Sequence, residues 1–347
     1  MANIIMDSKQ IVLLTDRISI HYKGLTYSYN MAFKKLGYQV KVVPFAINEK
    51  VYRISKFMPI INNTYLSLVQ RKVIKEIVKS KIKLVFVIKG MYLLPSTLQF
   101  LRDKGVRVFC FNPDDPFSII AGSSNLNIKD CIPLYDAYFI WSRKLQKKLK
   151  EEAVANTYYL PFAADVNITK PPDDRDGLDK QIDVSFIGNG DKERKSFLQE
   201  LGSAIESDGF ASAIFGTGWG HLAGFDLNGQ VYNQEFLNSI YKSKINLNIL
   251  REQNKGSHNM RTFDIPACGG FMLHEYSEEV ADFFEEGKEF VSFKTVEECA
   301  DKIRFFIHNT SEREKIALAG YNRLIKSSYN YLHNIERMEN FLSVINE

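Results

Sequence analysis

The feature that most limits this chain is an alternation of short, β-rich apolar runs with helix-length segments, present on both sides of one proline-rich charged stretch. In the first block the runs are QIVLLT (10–15), QVKVVPF (39–45), LVFVIKG (84–90), VRVFCF (106–111) and AYFIW (137–141). Helical spacing falls over 25–37, 64–80, 96–104 and 143–152. Strands separated by helices build βαβ units, hence a parallel sheet covered on both faces. The stretch KPPDDRDGLDK (170–180) holds no large apolar residue before Leu178 and reads as an interdomain linker. A second series follows: IDVSFIG (182–188), SAIFG (212–216), INLNIL (245–250), FMLHE (271–275) and FVSF (290–293). Helices are expected there over 192–206, 234–243, 258–268, 278–285, 296–308, 312–327 and 330–345. The predicted fold class is α/β, with doubly wound Rossmann-like domains at 1–169 and 182–328, a linker at 170–181, and a helix at 329–347 that returns to the first domain. Parallel sheets take ligands beyond the carboxyl ends of their strands, so a cleft between two such domains is the expected site.

With 347 residues the chain has length for about two domains. No apolar run approaches the ~20 residues of a membrane span. The start MANIIMDSKQIVLL lacks an export-signal pattern, so a cytoplasmic protein is expected. The cysteines (Cys110, Cys131, Cys268, Cys299) form no C-x-x-C pair, which argues against a zinc or redox site. The net charge of +4 conceals an asymmetry. Residues 1–165 carry 25 Lys and Arg against 12 Asp and Glu, whereas residues 166–347 carry 20 against 29. A basic first half suits an anionic partner, either a phosphate-bearing acceptor or an anionic membrane touched peripherally through RKVIKEIVKSKIK (71–83) or SRKLQKKLK (142–150). These stretches equally fit helices with one buried face and a solvated lysine face. No aromatic-interleaved basic motif is present, so no nucleic-acid partner is expected.

Candidate chemistry concentrates in NKGSHNMRTFDIPACGGFMLHE (254–275). Ser257 fits the N-cap of a helix that Gly269 and Gly270 stop, with Pro266 bending its last turn. The unpaired amides of that helix start, with Ser257, His258, Arg261 and the adjoining Thr262, would hold a diphosphate. Asp264, one turn on, would accept from ribose hydroxyls. The alternative is an i,i+3 ion pair between Arg261 and Asp264. Glu275 ends the following strand and faces the same place. The turn GNGDKER (188–194) follows the first strand of the second domain, where Gly188 and Gly190 would let backbone approach a phosphate, with Arg194 or Lys195 adding charge. GTGW (216–219) offers Gly216, Gly218 and Trp219, the last stacking on a base or plugging the core.

RTFDIPACGGF, with FFEEGKEFVSF (283–293), DVSFIGNGDKERKSFLQEL (183–201), IFGTGW (214–219), SKINLNILRE (243–252) and LPFAADV (160–166), resembles the C-terminal domain of CgeB-like glycosyltransferases. The resemblance covers about residues 160–325. It implies a GT-B fold, a nucleoside-diphosphate-sugar donor (a UDP-sugar first) held by the second domain, transfer to a hydroxyl of a glycan, lipid-linked or protein acceptor, and no catalytic metal or other cofactor. It implies Arg261 on the diphosphate and Asp264 in the place of a ribose-binding glutamate. Related enzymes carry a second glutamate eight positions earlier, where this chain has Gly256. That departure leaves open a non-catalytic nucleotide-sugar-binding module, and the fold also accommodates a nucleotide-sugar epimerase.

In the first domain FNPDDPF (111–117) follows a strand and places Asp114 and Asp115 at its carboxyl end, as adjacent carboxylates suited to general-base work or as a capping turn. The loop TDRISIHYKG (15–24) adds Asp16 and His21 as further candidate bases.

Overall fold

The computed structural model describes residues 9–16, 23–55, 57–118, 124–152, 154–172 and 179–344. The chain divides into two units, Met1–Pro161 with Tyr331–Glu347, and Phe162–Asn330. Among the described residues no helix is long and apolar enough to cross a membrane.

Unit 1 runs β1 (Gln10–Thr15), α1 (Leu25–Lys35), β2 (Gln39–Pro44), α2 (Glu49–Ser55), α3 (Pro59–Ser80), β3 (Leu84–Ile88), α4 (Pro95–Asp103), β4 (Arg107–Asn112), α5 (Leu126–Cys131), β5 (Ala137–Ile140), α6 (Arg143–Glu151) and β6 (Thr157–Tyr159). Its sheet is parallel, in the order β2-β1-β3-β4-β5-β6. The inner strands are buried on both faces, which is why they read as unbroken apolar runs rather than alternating ones. The helix closing the described chain, Tyr331–Val344, belongs to this unit; Tyr331 packs edge-on against Tyr29 at 5.0 Å and Asn334 Nδ2 donates to Pro161 O at 2.9 Å.

Unit 2 runs β7 (Ile182–Ile187), α7 (Lys192–Ile205), β8 (Ser212–Phe215), β9 (Asp226–Asn228), α8 (Asn233–Tyr241), β10 (Ser243–Asn248), α9 (Arg261–Ala267), β11 (Met272–Glu275), β12 (Val291–Phe293), α10 (Val296–His308) and α11 (Thr310–Lys326); Tyr331–Val344 is then α12. The sheet order is β12-β11-β10-β7-β8-β9, all parallel. Its core joins Val184 and Phe186 of β7, Ile245 and Leu247 of β10, and Leu273 and Phe293 to Leu198 and Ile303 of the covering helices. Residues 162–169, read from sequence with the first domain, cluster with unit 2: Ala164 N–H donates to Tyr329 O at 3.0 Å and Phe162 N–H to His258 Nε2 at 3.1 Å. Residues 173–178 of the linker stretch lie outside the described residues.

Elements absent from the sequence reading are short. β9 is exposed at all three positions, so it carries no apolar signal. α2 and the first turns of α3 present apolar side chains to the outside, where helical periodicity says nothing about burial. The stretch 278–285 forms a 3-10 turn over Glu278–Asp282 rather than a helix.

Candidate functional site

In unit 2, β7 is the first strand and its neighbours are β8 on one side and β10 on the other. Successive connections therefore leave β7 in opposite directions, which opens a crevice at the carboxyl ends of β7 and β10. Three guanidinium groups gather there. Arg194, from the first turn of α7, reaches back so that Nε and Nη2 both donate to Ile249 O, at 3.0 and 2.7 Å. Arg261, the first residue of α9, donates from Nε to Ile187 O at 3.3 Å, pairs with Asp264 at 2.6 Å and lies over the Phe236 ring at 4.4 Å. Arg251, just past β10, pairs with Asp191 at 3.5 Å and is half-exposed. Ile187 O at the end of β7 and Ile249 O just past β10 thus each receive an arginine.

The electrostatics follow from that crowding. Burial pulls the Arg194 guanidinium down to about 10; Asp191 opposes this, Arg251 and Arg261 reinforce it, and Glu275 opposes it. Burial pushes the Asp264 carboxyl up from its ordinary value, and the Arg261 charge and hydrogen bond hold it back. Glu275, at the end of β11, accepts from Leu250 N–H at 2.8 Å and pairs with Lys255. Arg251 and Lys255 are partly exposed cations at this edge that the sequence reading did not single out. The signal was available: both stand within a few residues of the strand INLNIL, at the end where ligands bind.

The structure corrects the expected helix start. α9 begins at Arg261, not beside Ser257. Asn259 provides the cap instead: its Oδ1 accepts from Thr262 N–H at 3.2 Å while Thr262 Oγ1 accepts from Asn259 N–H at 3.3 Å, a reciprocal arrangement like a capping box. Ser257 and His258 are only 1% and 0% exposed. Ser257 Oγ donates to Glu279, and its carbonyl accepts from Ser277 Oγ. His258 Nε2 accepts from Phe162 N–H, which leaves the proton on Nδ1, 3.0 Å from Glu279 Oε2. These two side chains tie the loop to the interior and do not face a ligand. Gly256, at φ +78, makes the turn that sends Ser257 inward, and a glutamate there would be strained.

Other expected donor contacts are corrected in the same way. Thr262 is buried; its hydroxyl accepts from Asn259 N–H and from Asn248 Nδ2 at 3.3 Å, and donates to His274 Nε2 at 3.0 Å. Burial pushes His274 down to about 4, so its free Nε2 accepts. Gly269, at φ +73, closes α9, and Gly270 packs where a Cβ would meet Ile240 at 2.8 Å. Both precede β11, at the end of the sheet opposite Glu275.

The two glycine turns approach each other rather than an open edge. Gly188 N–H donates to Phe215 O and Gly190 N–H to Thr217 O, both at 2.8 Å. A Cβ on Gly216 would stand 2.1 Å from Gly188 O, and one on Gly190 2.6 Å from Gly218 O. The glycines let parallel pairing of β7 and β8 continue past the strands; the amides of Gly188, Gly190 and Gly216 are already used. Trp219 packs edge-on against Phe186 and donates to Gly188 O at 3.0 Å, which is the core role rather than the stacking one. Lys195 is exposed on α7.

In unit 1 the carboxyl edge holds Asp16, whose oxygens accept from Met91 N–H at 3.1 and 3.3 Å. Asp114 pairs with Lys89 at 2.7 Å, while Asp115 Oδ1 accepts from Phe117 N–H at 2.8 Å. The adjacent carboxylates thus have different partners, and Asp115 makes the capping turn. His21 lies outside the described residues.

Residues 194–340 match the family model described as glycosyl transferase-like. Solved structures share the architecture over nearly the whole chain. Sucrose-phosphate synthase from Thermosynechococcus elongatus is 10% identical, with 96% of this chain and 99% of that one covered at a TM-score of 0.69. The E. coli trehalose-6-phosphate synthase bound with UDP-2-fluoro glucose is 11% identical, covering 97% and 99% at 0.67. Anabaena HepE in complex with UDP and glucose is 11% identical, covering 96% and 99% at 0.64. No curated protein matches in sequence. The fold is GT-B: two parallel six-stranded sheets with helices.

Proposed function

We propose that this chain is a glycosyltransferase of the CgeB-like kind, moving a sugar from a nucleoside-diphosphate donor, UDP-linked first, to an acceptor hydroxyl. The carrying observation is the gathering of Arg194, Arg251 and Arg261 at the crevice between β7 and β10, inside the segment that matches a glycosyl transferase-like family. UDP and glucose in HepE, and UDP-2-fluoro glucose in the E. coli enzyme, support the choice of donor.

In this reading Arg251, Lys255 and the exposed edge of Arg261 hold the diphosphate, while Arg194, already bound to Ile249 O, keeps the crevice in shape. The bond from the anomeric carbon to the diphosphate oxygen breaks, and its electron pair stays on the diphosphate, where fixed cations stabilise it without a metal. The acceptor oxygen bonds to the anomeric carbon and its proton passes to a general base, for which Asp16, Asp114 and His21 are the candidates. The protein would work in the cytoplasm, where the acceptor is a glycan, lipid-linked intermediate or protein, and its basic unit 1 would meet an anionic membrane.

The test is a panel of nucleoside diphosphates in thermal-shift and donor-hydrolysis assays. UDP is expected to raise the midpoint in proportion to its affinity. Arg251→Ala with Lys255→Ala is expected to weaken donor binding at least about tenfold, the loss of one to two charge-assisted contacts, read as a smaller ligand-induced shift relative to the free variant, whose own midpoint falls with the lost Asp191 and Glu275 pairs. A chain that no nucleoside diphosphate stabilises refutes the reading, and isomerised donor without acceptor would make it an epimerase.

A further inference from the structure

Unit 1 carries an exposed apolar outcrop. Around the turn from α2 to α3, Ile54 is 71% exposed, Phe57 79% and Ile60 84%, with Met58 and Ile61 also exposed. Isolated exposed apolar residues are ordinary, but five within eight positions form a patch of the kind that marks an interaction surface. The outer face of α3 continues from it. Leu68 and Val78 are exposed there, and so are Arg71, Lys72, Lys75 and Lys79. On a helical projection these positions and Ile60 and Ile61 fall on one side, opposite buried Leu66, Gln70, Val73 and Ile77. The single acid of α3, Glu76, is paired with Lys41 at 2.8 Å. Lys50 and Arg53 of α2 add exposed positive charge beside Ile54.

We propose that this face of α2 and α3 docks unit 1 on an anionic lipid bilayer, the apolar turn entering the headgroup region and the α3 cations resting on lipid phosphates. The inference sharpens the membrane clause of the proposed function but does not depend on sugar transfer. Charge complementarity selects the occupant. At 22 residues α3 is about 33 Å long and presents apolar and cationic side chains together along its outside, the composition of a helix lying in a membrane interface. The apolar side chains project outward, which suits a deformable lipid surface.

The test is co-sedimentation of the full chain with vesicles of phosphatidylglycerol in phosphatidylcholine, and with phosphatidylcholine alone. Binding to the anionic vesicles that falls with salt is expected. Ile54→Ser with Ile60→Ser, and separately Arg71→Glu with Lys75→Glu, are each expected to lower partitioning about tenfold or more, since both apolar area and charge contribute. All four positions are exposed, so the melting temperature should hold. Equal binding to neutral vesicles, or none to either, overturns the proposal. If vesicles do not bind and the isoleucine variant turns a self-associated chain into a monomer, the face is instead an interface between copies. Donor binding, measured separately by thermal shift, reports on the transfer reading whatever the vesicles show.

Discussion

Replacing Arg261 by methionine should destabilise the protein before any question of donor binding arises. Its guanidinium is 2.6 Å from a carboxylate that is nearly buried, while the arginine side chain itself is 30% exposed. Two unit charges about 4 Å apart at an effective dielectric constant of about 20 interact by about 4 kcal/mol, and exposure of the arginine reduces that to about 2–3. The contact with the Phe236 ring adds about 0.5–1 kcal/mol. Arg261→Met alone leaves Asp264 buried without its cation, so a loss of about 3 kcal/mol is expected. Arg261→Met with Asp264→Asn removes both charges and should recover most of that loss. The pH dependence has a defined sign. The folded pKa of Asp264 already lies above its ordinary value of 3.8, and removing Arg261 raises it further. A carboxyl raised on folding favours the folded state at low pH and loses that contribution as pH rises through the folded pKa. The deficit of the single variant should therefore be smallest near about pH 4 and grow toward about pH 7. Urea denaturation of wild type, both single variants and the double variant at these two pH values measures it. A single-variant loss under about 1 kcal/mol, strict additivity in the cycle, or a deficit independent of pH would refute the ion-pair reasoning.

His274, buried and held down to about 4, should make the protein lose stability as pH falls from 6.5 toward 4, because the unfolded chain takes up a proton there and the folded one does not; about 3 kcal/mol is at stake, and His274→Gln should flatten that part of the stability–pH curve. Gly190→Ala should force the two glycine turns apart, since its Cβ would meet Gly218 O at 2.6 Å; a loss of at least about 2 kcal/mol of unfolding free energy, seen as a lower denaturant midpoint, is expected, with weakened donor binding because the edge of the crevice moves. An unchanged midpoint would show that the turns do not need their close approach.

The alternation of apolar runs with helix-length segments determined the fold class by itself. LVFVI or INLNIL can be apolar or uncharged throughout only in strands covered on both faces, and that requires parallel sheets flanked by helices. The same periodicity located the crevice-bearing edge, because INLNIL and FMLHE end where Arg251 and Glu275 stand. Which residues face a ligand was decided elsewhere. Ser257 and Asn259 are both good helix caps in sequence, and the choice between them rests on Thr262, whose hydroxyl completes the cap while also reaching Asn248 and His274 from two strands. Once Asn259 caps the helix, Ser257 and His258 turn inward to Glu279 and Phe162, partners 22 and 96 residues away. Likewise a glycine pattern looks the same whether backbone approaches a phosphate or another backbone; only the pairing of β7 with β8 shows that Gly188 and Gly190 meet Gly216 and Gly218. Local preference is set by neighbours along the chain and can be read from them, whereas the direction a polar group faces depends on partners that folding alone brings near.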